Sequence, residues 1–162
     1  MKFKIRKYYE SDKKNIKKLL DSQVQDIALF NRLRKTKPSS KYSSYYLQKI
    51  LNLVKKNLGI IIVSEFKKKL IGYCIGYIKE YSEKEKLEFK TIKRGFVSDL
   101  YVNKTYRNQG VGTQLIKNIE KYFKLKDCKY YEINVVLANK IAHSLYKKLG
   151  FSDHNLNMVK TI

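Results

Sequence analysis

"YVNKTYRNQGVGTQLIKNIEKYFK", residues 101–124, passes from an extended, β-prone segment into an amphipathic helix across two glycines one residue apart, Gly110 and Gly112. Glycine near a helix start is unfavourable unless the backbone must bend sharply or approach something closely. A phosphate is such a partner, because the first N–H groups of a helix lack acceptors and the helix dipole adds partial positive charge there. In "RNQGVG", residues 107–112, the glycines remove Cβ atoms that would block a pyrophosphate, and Arg107 can pair with a further phosphate oxygen. Two nucleotide motifs are excluded. A P-loop needs a lysine after its last glycine, where this chain has Thr113, and a dinucleotide fingerprint needs glycine or alanine at the position of Leu115.

Upstream of this stretch, "FKIRKYY" (3–9) alternates as a strand does. "SDKKNIKKLLDSQ" then offers Ser11 or Asp12 as an N-cap, with Ile16, Leu19 and Leu20 at helical spacing. Residues 31–44 read as a basic, polar loop holding the single proline, Pro38. "YLQKILNLVKKN" (46–57) gives a second helix with Leu47, Ile50, Leu51 and Val54 on one face, ending near Gly59. "IIIVSEF" (60–66) and "LIGYCIGYIKEY" (70–81) predict an antiparallel hairpin across "KKK", and a charged loop, "SEKEKLEFK" (82–90), leads to a third run, "GFVSDLYV" (95–102).

Downstream, a helix from about Gly112 to Phe123 is followed by a strand "YYEINVVL" (130–137), a helix from about Asn139 to Leu149, and room for a last strand in "FSDHNLNMVKTI" (151–162). The predicted order is strand, two helices, three strands, then helix, strand, helix, strand. That order implies one α+β domain over residues 1–162, with a mixed, mostly antiparallel central sheet flanked by helices and a parallel pair at the final crossover.

The 43% hydrophobic residues suffice for a sizeable core, and no apolar run is long enough to span a membrane. The N-terminus "MKFKIRKYYE" lacks the apolar stretch of a signal peptide, so a soluble, cytoplasmic protein is expected. Cys74 and Cys128 fit buried free thiols, without the spacing of a metal site, and no metal is expected. The net charge of +22 invites a nucleic-acid partner, yet it comes from 31 Lys and only 5 Arg spread along the chain. Base recognition leans on bidentate Arg, and diffuse charge describes a solvated surface, so composition argues against that partner.

With its R-x-x-G-x-G stretch, the chain resembles the GNAT superfamily of N-acetyltransferases. "VSDLYVNKTYRNQGVGTQLI" (97–116) looks like that family's fourth strand, loop and third helix, and "NVVLANKIAHSLYKKLGF" (134–151) resembles its fifth strand and fourth helix. The resemblance implies acetyl-CoA as co-substrate and an amine as acceptor. It assigns the pyrophosphate to the backbone of Arg107, Asn108, Gln109, Gly110, Val111 and Gly112, with the Thr113 hydroxyl added. It also implies that the fourth and fifth strands splay apart and that the backbone of Leu100, Tyr101 and Val102 binds the pantetheine arm. Asn139 matches a position that contacts this arm, although it could equally be only a helix N-cap.

Tyr146 matches the tyrosine of the family's "LYxKLGF" block and would protonate the departing thiolate; as one of a stripe with Ala142, Leu145 and Leu149 it also reads as a core residue. Asp99 is the carboxylate on the strand beside the thioester and could act as base through a water, or serve as a structural or substrate-orienting group. Relatives often carry that base at the position of Ser98, and strand alternation separates the two faces unless a bulge, common in the family, intervenes. Glu132, His143 and His154 are weaker candidates. A non-catalytic acetyl-CoA sensor or accessory protein is the competing reading, and monomer and homodimer both stay open. Because the surface is so basic, a monocationic acceptor is favoured over a polycation: Glu80, Glu83, Glu85 and Glu88 alternate with Lys79, Lys84, Lys86 and Lys90, and only a convergence of Asp21, Asp26 and Asp99 would make an acidic pocket.

Overall fold

The computed structural model describes residues 1–30 and 41–160, so most of the expected loop at 31–44 lies outside the described residues. β1 (Lys4–Lys7) leads through a short 3-10 turn into α1 (Lys13–Ala28), and α2 (Tyr42–Lys56) follows. The hairpin is β2 (Ile60–Phe66) and β3 (Lys69–Lys79), turned by Lys67 and Lys68, both at positive φ. That backbone suits the twist of a two-residue hairpin, although neither residue is the usual Gly or Asn. β4 (Arg94–Val102), α4 (Val111–Leu125), β5 (Tyr130–Ile133) and α5 (Lys140–Lys148) complete the order, with a short α3 (Glu83–Glu88) before β4.

The five strands lie in sequence order, antiparallel except for the parallel β4–β5 pair. Both sheet faces are covered, which explains why β2 and β3 are almost uninterrupted in apolar or small residues. Ile16, Leu19, Leu20, Leu47 and Ile50 bring α1 and α2 onto Ile61, Val63, Tyr73 and Ile75 on one face. Val111, Leu115, Ile116, Ile119 and Phe123 of α4 cover Ile60, Ile62, Cys74 and Val97 on the other.

Four expectations are corrected. The segment 82–90 is not simply a loop: Ser82 accepts a hydrogen bond from the Glu85 N–H, and Glu85 reaches back to the Ser82 N–H, a capping box that nucleates α3. The strand expected over 130–137 stops at Ile133. No final strand forms among the described residues, since 152–160 carry no regular structure. Asp12 precedes α1 but does not cap it; its carboxylate binds the Arg6 guanidinium at 2.6 and 2.9 Å and the Tyr9 N–H at 2.9 Å. Among the described residues, no helix is long and apolar enough to cross a membrane.

Candidate active site

Two irregularities in β4 create the site. Its residues Arg94–Val97 pair with Tyr130–Ile133 of β5, after which β5 ends while β4 continues to Val102 against β3. The stretch from Ser98 to Val102 therefore has one edge without a neighbouring strand, as an extended ligand arm requires. At the same point Ile75 faces Asp99 and Gly76 faces Val97, leaving Ser98 as the extra residue of a bulge. The bulge reverses the faces: Val97 packs under α4, whereas Asp99 and Tyr101 turn toward α1 and α2.

The glycine loop runs from that strand end. Asn108 (φ 60°) and Gly110 (φ 79°) are both in the left-handed region and bring the chain sharply into α4. The first helical bond is Gln114 N–H to the Gly110 carbonyl, at 3.0 Å. No side chain caps the helix, so the N–H groups of Val111, Gly112 and Thr113 have no acceptor among the described residues. A Cβ on Gly110 would meet no atom within 4 Å. The open space and the unused donors fit a phosphate. Gly112 answers to a second need as well: its Cβ would lie 3.2 Å from Cδ2 of Leu145, so its smallness lets α5 approach. Asn108 and Gln109 are exposed, with Gln109 Nε2 donating to the Thr105 carbonyl at 3.3 Å.

Arg107 differs from its sequence reading. Its guanidinium is committed to Asp26 of α1, and its Nε donates to the Val102 carbonyl at 2.9 Å. Lys104 reaches the same Asp26 at 2.7 Å, and the Tyr101 hydroxyl donates to it at 3.3 Å. Burial pushes the Asp26 carboxyl up, but hydrogen bonds and charge from Lys104 and Arg107 hold it below the ordinary value.

On the far side of the opening, Asn139 caps α5 by accepting from the Ala142 N–H at 3.2 Å, which satisfies its N-cap reading and leaves its amide NH2 for other use. Tyr146 is 7% exposed, its ring 5.6 Å from that of Phe151, and among the described residues nothing hydrogen-bonds its hydroxyl. Burial first, then the nearby Cys74 and Asp99, raise its pKa and keep the phenol neutral. Cys74 is wholly buried with its thiol pushed well up, also chiefly by burial, and Cys128 is half-buried. Glu132 is held by Lys79 at 3.0 Å and Arg94 at 3.5 Å. His143 is half-buried against Asp153 at 2.7 Å, and His154 is exposed.

Asp99 is 8% exposed. The Tyr46 hydroxyl donates to its Oδ2 at 2.7 Å, and Gln23 Nε2 donates to Oδ1 at 3.3 Å. Burial raises its pKa, and these hydrogen bonds oppose the rise. Asp12, Asp26 and Asp99 are the buried carboxylates of the described residues; the first two are paired with arginine, and Asp99 has no cationic partner among them. Sequence reading missed Tyr46, Gln23 and the Asp26 tie, because these partners lie 53, 76 and 81 residues away in the chain and no local pattern joins them.

The sequence matches the family model described as "Acetyltransferase (GNAT) family" over residues 26–151, and the chain belongs to that family. It is 35% identical over 83 residues to N-alpha-acetyltransferase 30 of Dictyostelium discoideum, covering 51% of this chain and 44% of the relative. It is 40% identical over 58 residues to thialysine N-epsilon-acetyltransferase of Mus musculus, covering 36% and 34%. The chain thus spans less than half the length of either relative. A solved structure of AAC(6')-Iy, in complex with the bisubstrate analogue CoA-S-monomethyl-acetylneamine, shares the fold at a TM-score of 0.71, with 15% identity over 100% of this chain and 99% of that one.

Proposed function

We propose that residues 1–162 form one acetyltransferase domain that moves the acetyl group of acetyl-CoA to a primary amine by direct attack at the opening between β4 and β5. The observation that carries this reading is Asp99, a buried carboxylate with no cationic partner among the described residues in a chain of net charge +22, on the same strand that leads into an uncapped helix start. Such a group attracts an ammonium, and its raised proton affinity suits it to accept a proton, directly or through a water.

Acetyl-CoA supplies an activated thioester; of the two protons the ammonium sheds on becoming an amide, one ends on the CoA sulfur and one in solvent. The backbone N–H groups from Asn108 to Thr113 bind the diphosphate. Leu100 and Tyr101 line the pantetheine arm with Val102, whose carbonyl keeps one lone pair beyond its bond to Arg107. Asn139 can add its amide NH2. Asp99 holds the proton taken from the amine, and the neutral Tyr146 hydroxyl donates to the sulfur. Relatives that act on N-terminal, thialysine and aminoglycoside amines share this fold or family, so acceptor identity must come from local charge. Glu83, Glu85 and Glu88 are ion-paired and Asp26 is neutralised, which leaves one buried carboxylate to meet one ammonium. A monocationic acceptor follows, a small amino compound or a peptide N-terminus. Use of acetyl-CoA fits a cytoplasmic protein.

The test is CoA thiol release by purified protein with spermidine, an aminoglycoside, simple monoamines and short peptides at two salt concentrations. A monocation should win; a polycation ahead by about tenfold, with its advantage fading as salt rises, overturns the acceptor class. Tyr146→Phe should lower kcat by about 10² to 10⁴ with little change in the KM of acetyl-CoA. A drop of about threefold or less returns Tyr146 to packing. Saturable acetyl-CoA binding without turnover on any amine supports the sensor reading instead.

A further inference from the structure

Tyr73 is fully buried, and its hydroxyl donates to Oε1 of Gln23. That bond leaves the Gln23 NH2 as the group facing Asp99, so Gln23 meets Asp99 as a donor. Tyr46 meets it as a donor too, with its ring stacked on Tyr42 at 5.4 Å and 9°. Both oxygens of Asp99 are thus held by hydrogen bonds that favour the carboxylate, one from α1 and one from α2.

We propose that Tyr46 and Gln23 are positioning residues for the reaction, holding the two Asp99 oxygens so that helices α1 and α2 set the orientation and proton affinity of the base. This rests on Asp99 being that base. The titratable groups that feel Asp99 are Tyr42 and Tyr46 from α2, Tyr73, Cys74 and Tyr77 from β3, and Tyr146 from α5. All are neutral acids at physiological pH. With no cation facing Asp99 among the described residues, hydrogen bonding is what opposes its burial, from Tyr46 first, then from the adjacent Ser98 and from Gln23.

Tyr46→Phe removes one hydroxyl and keeps the ring stack. In the free protein, the ¹³C NMR titration of the Asp99 carboxylate should move up by about one pH unit, the scale of one hydrogen bond to a charged group. The acid limb of kcat/KM, measured with the best amine of the acceptor panel, should move the same way while the KM of acetyl-CoA stays put. Gln23→Met should act in the same direction by less, its bond being longer, and it stands in if Tyr46→Phe melts early. An unmoved NMR titration in both variants overturns the proposal. If Asp99→Asn is inactive while the limb of Tyr46→Phe is unmoved, positioning fails and the base reading stands. If Asp99→Asn keeps its activity and its acid limb, the base reading fails and takes the positioning role with it.

Discussion

Gln23 and Asp26 lie one turn apart on α1 and address two carboxylate sites that solve burial in opposite ways. Asp26 is 7% exposed and is compensated by Arg107 and Lys104, so its charge ties the glycine loop to the helix layer. Asp99 is as deeply buried and, among the described residues, has only neutral donors. A buried ion pair serves architecture; a buried carboxylate without a cation is a burden on the fold that catalysis explains. The two sites should therefore respond with opposite sign when their charge is removed.

The largest effect should come from Asp99→Asn. In its proposed role as base, Asp99 should be worth about 10² to 10⁴ in kcat, and its loss should nevertheless raise the melting temperature at pH 7 because a buried charge held only by neutral donors among the described residues is gone. Asp26→Asn should do the reverse. It strips Arg107 and Lys104 of their partner and lowers the melting temperature, with a loss of about 1–3 kcal/mol in unfolding free energy given that both cations can reach water. If the two variants shift melting in the same direction, the contrast drawn here is wrong.

Gly110→Val tests the loop that Asp26 holds in place. The Cβ meets no protein atom, but φ of 79° strains a branched residue and the added atoms fill the space assigned to phosphate. Calorimetric affinity for acetyl-CoA should fall at least about tenfold with the far-UV spectrum and melting close to those of the parent. Unchanged affinity removes the phosphate from this loop.

The smallest effect is in pH. Asp99 has a raised folded pKa, so the stability it contributes is present below the ordinary carboxylate value of about 3.9 and is lost as pH rises through the folded value. Asp26, lowered, contributes above that value and loses it as pH falls. The melting advantage of Asp99→Asn over the parent should therefore shrink toward pH 4, while the deficit of Asp26→Asn should shrink only at lower pH.

Local chemistry made most of the fold legible. Alternation and helical spacing placed β1 to β4, α1, α2 and α4, and the glycines marked the start of α4 within a residue. The capping box of α3 was in the sequence too, in Ser82 and Glu85, but lay hidden among charges. β5 was overextended because Val135, Val136 and Leu137 read as strand, although nothing in a linear pattern says that β4 and β5 part at Ile133. Within the candidate site, the sharp glycine turn into α4 was readable from the motif, and Asp99 and Tyr146 are candidates named from motif and neighbourhood. The partners that decide what Asp99 can do could not, since they come from α1 and α2 through tertiary packing alone.

The bulge at Ser98 also predicts how the strand tolerates change. Before it, odd-numbered positions such as Gly95 and Val97 face the α4 core; after it, the even-numbered Leu100 and Val102 do. A saturation scan of residues 94–102 should show its polar-intolerant positions switching parity at Ser98, and deleting that one residue would restore plain alternation, with Asp99 still opposite Ile75 on the α1 and α2 face but without the bulge. One inserted amino acid thus acts as a phase shift, letting a single strand be read in two frames, one for packing and one for chemistry.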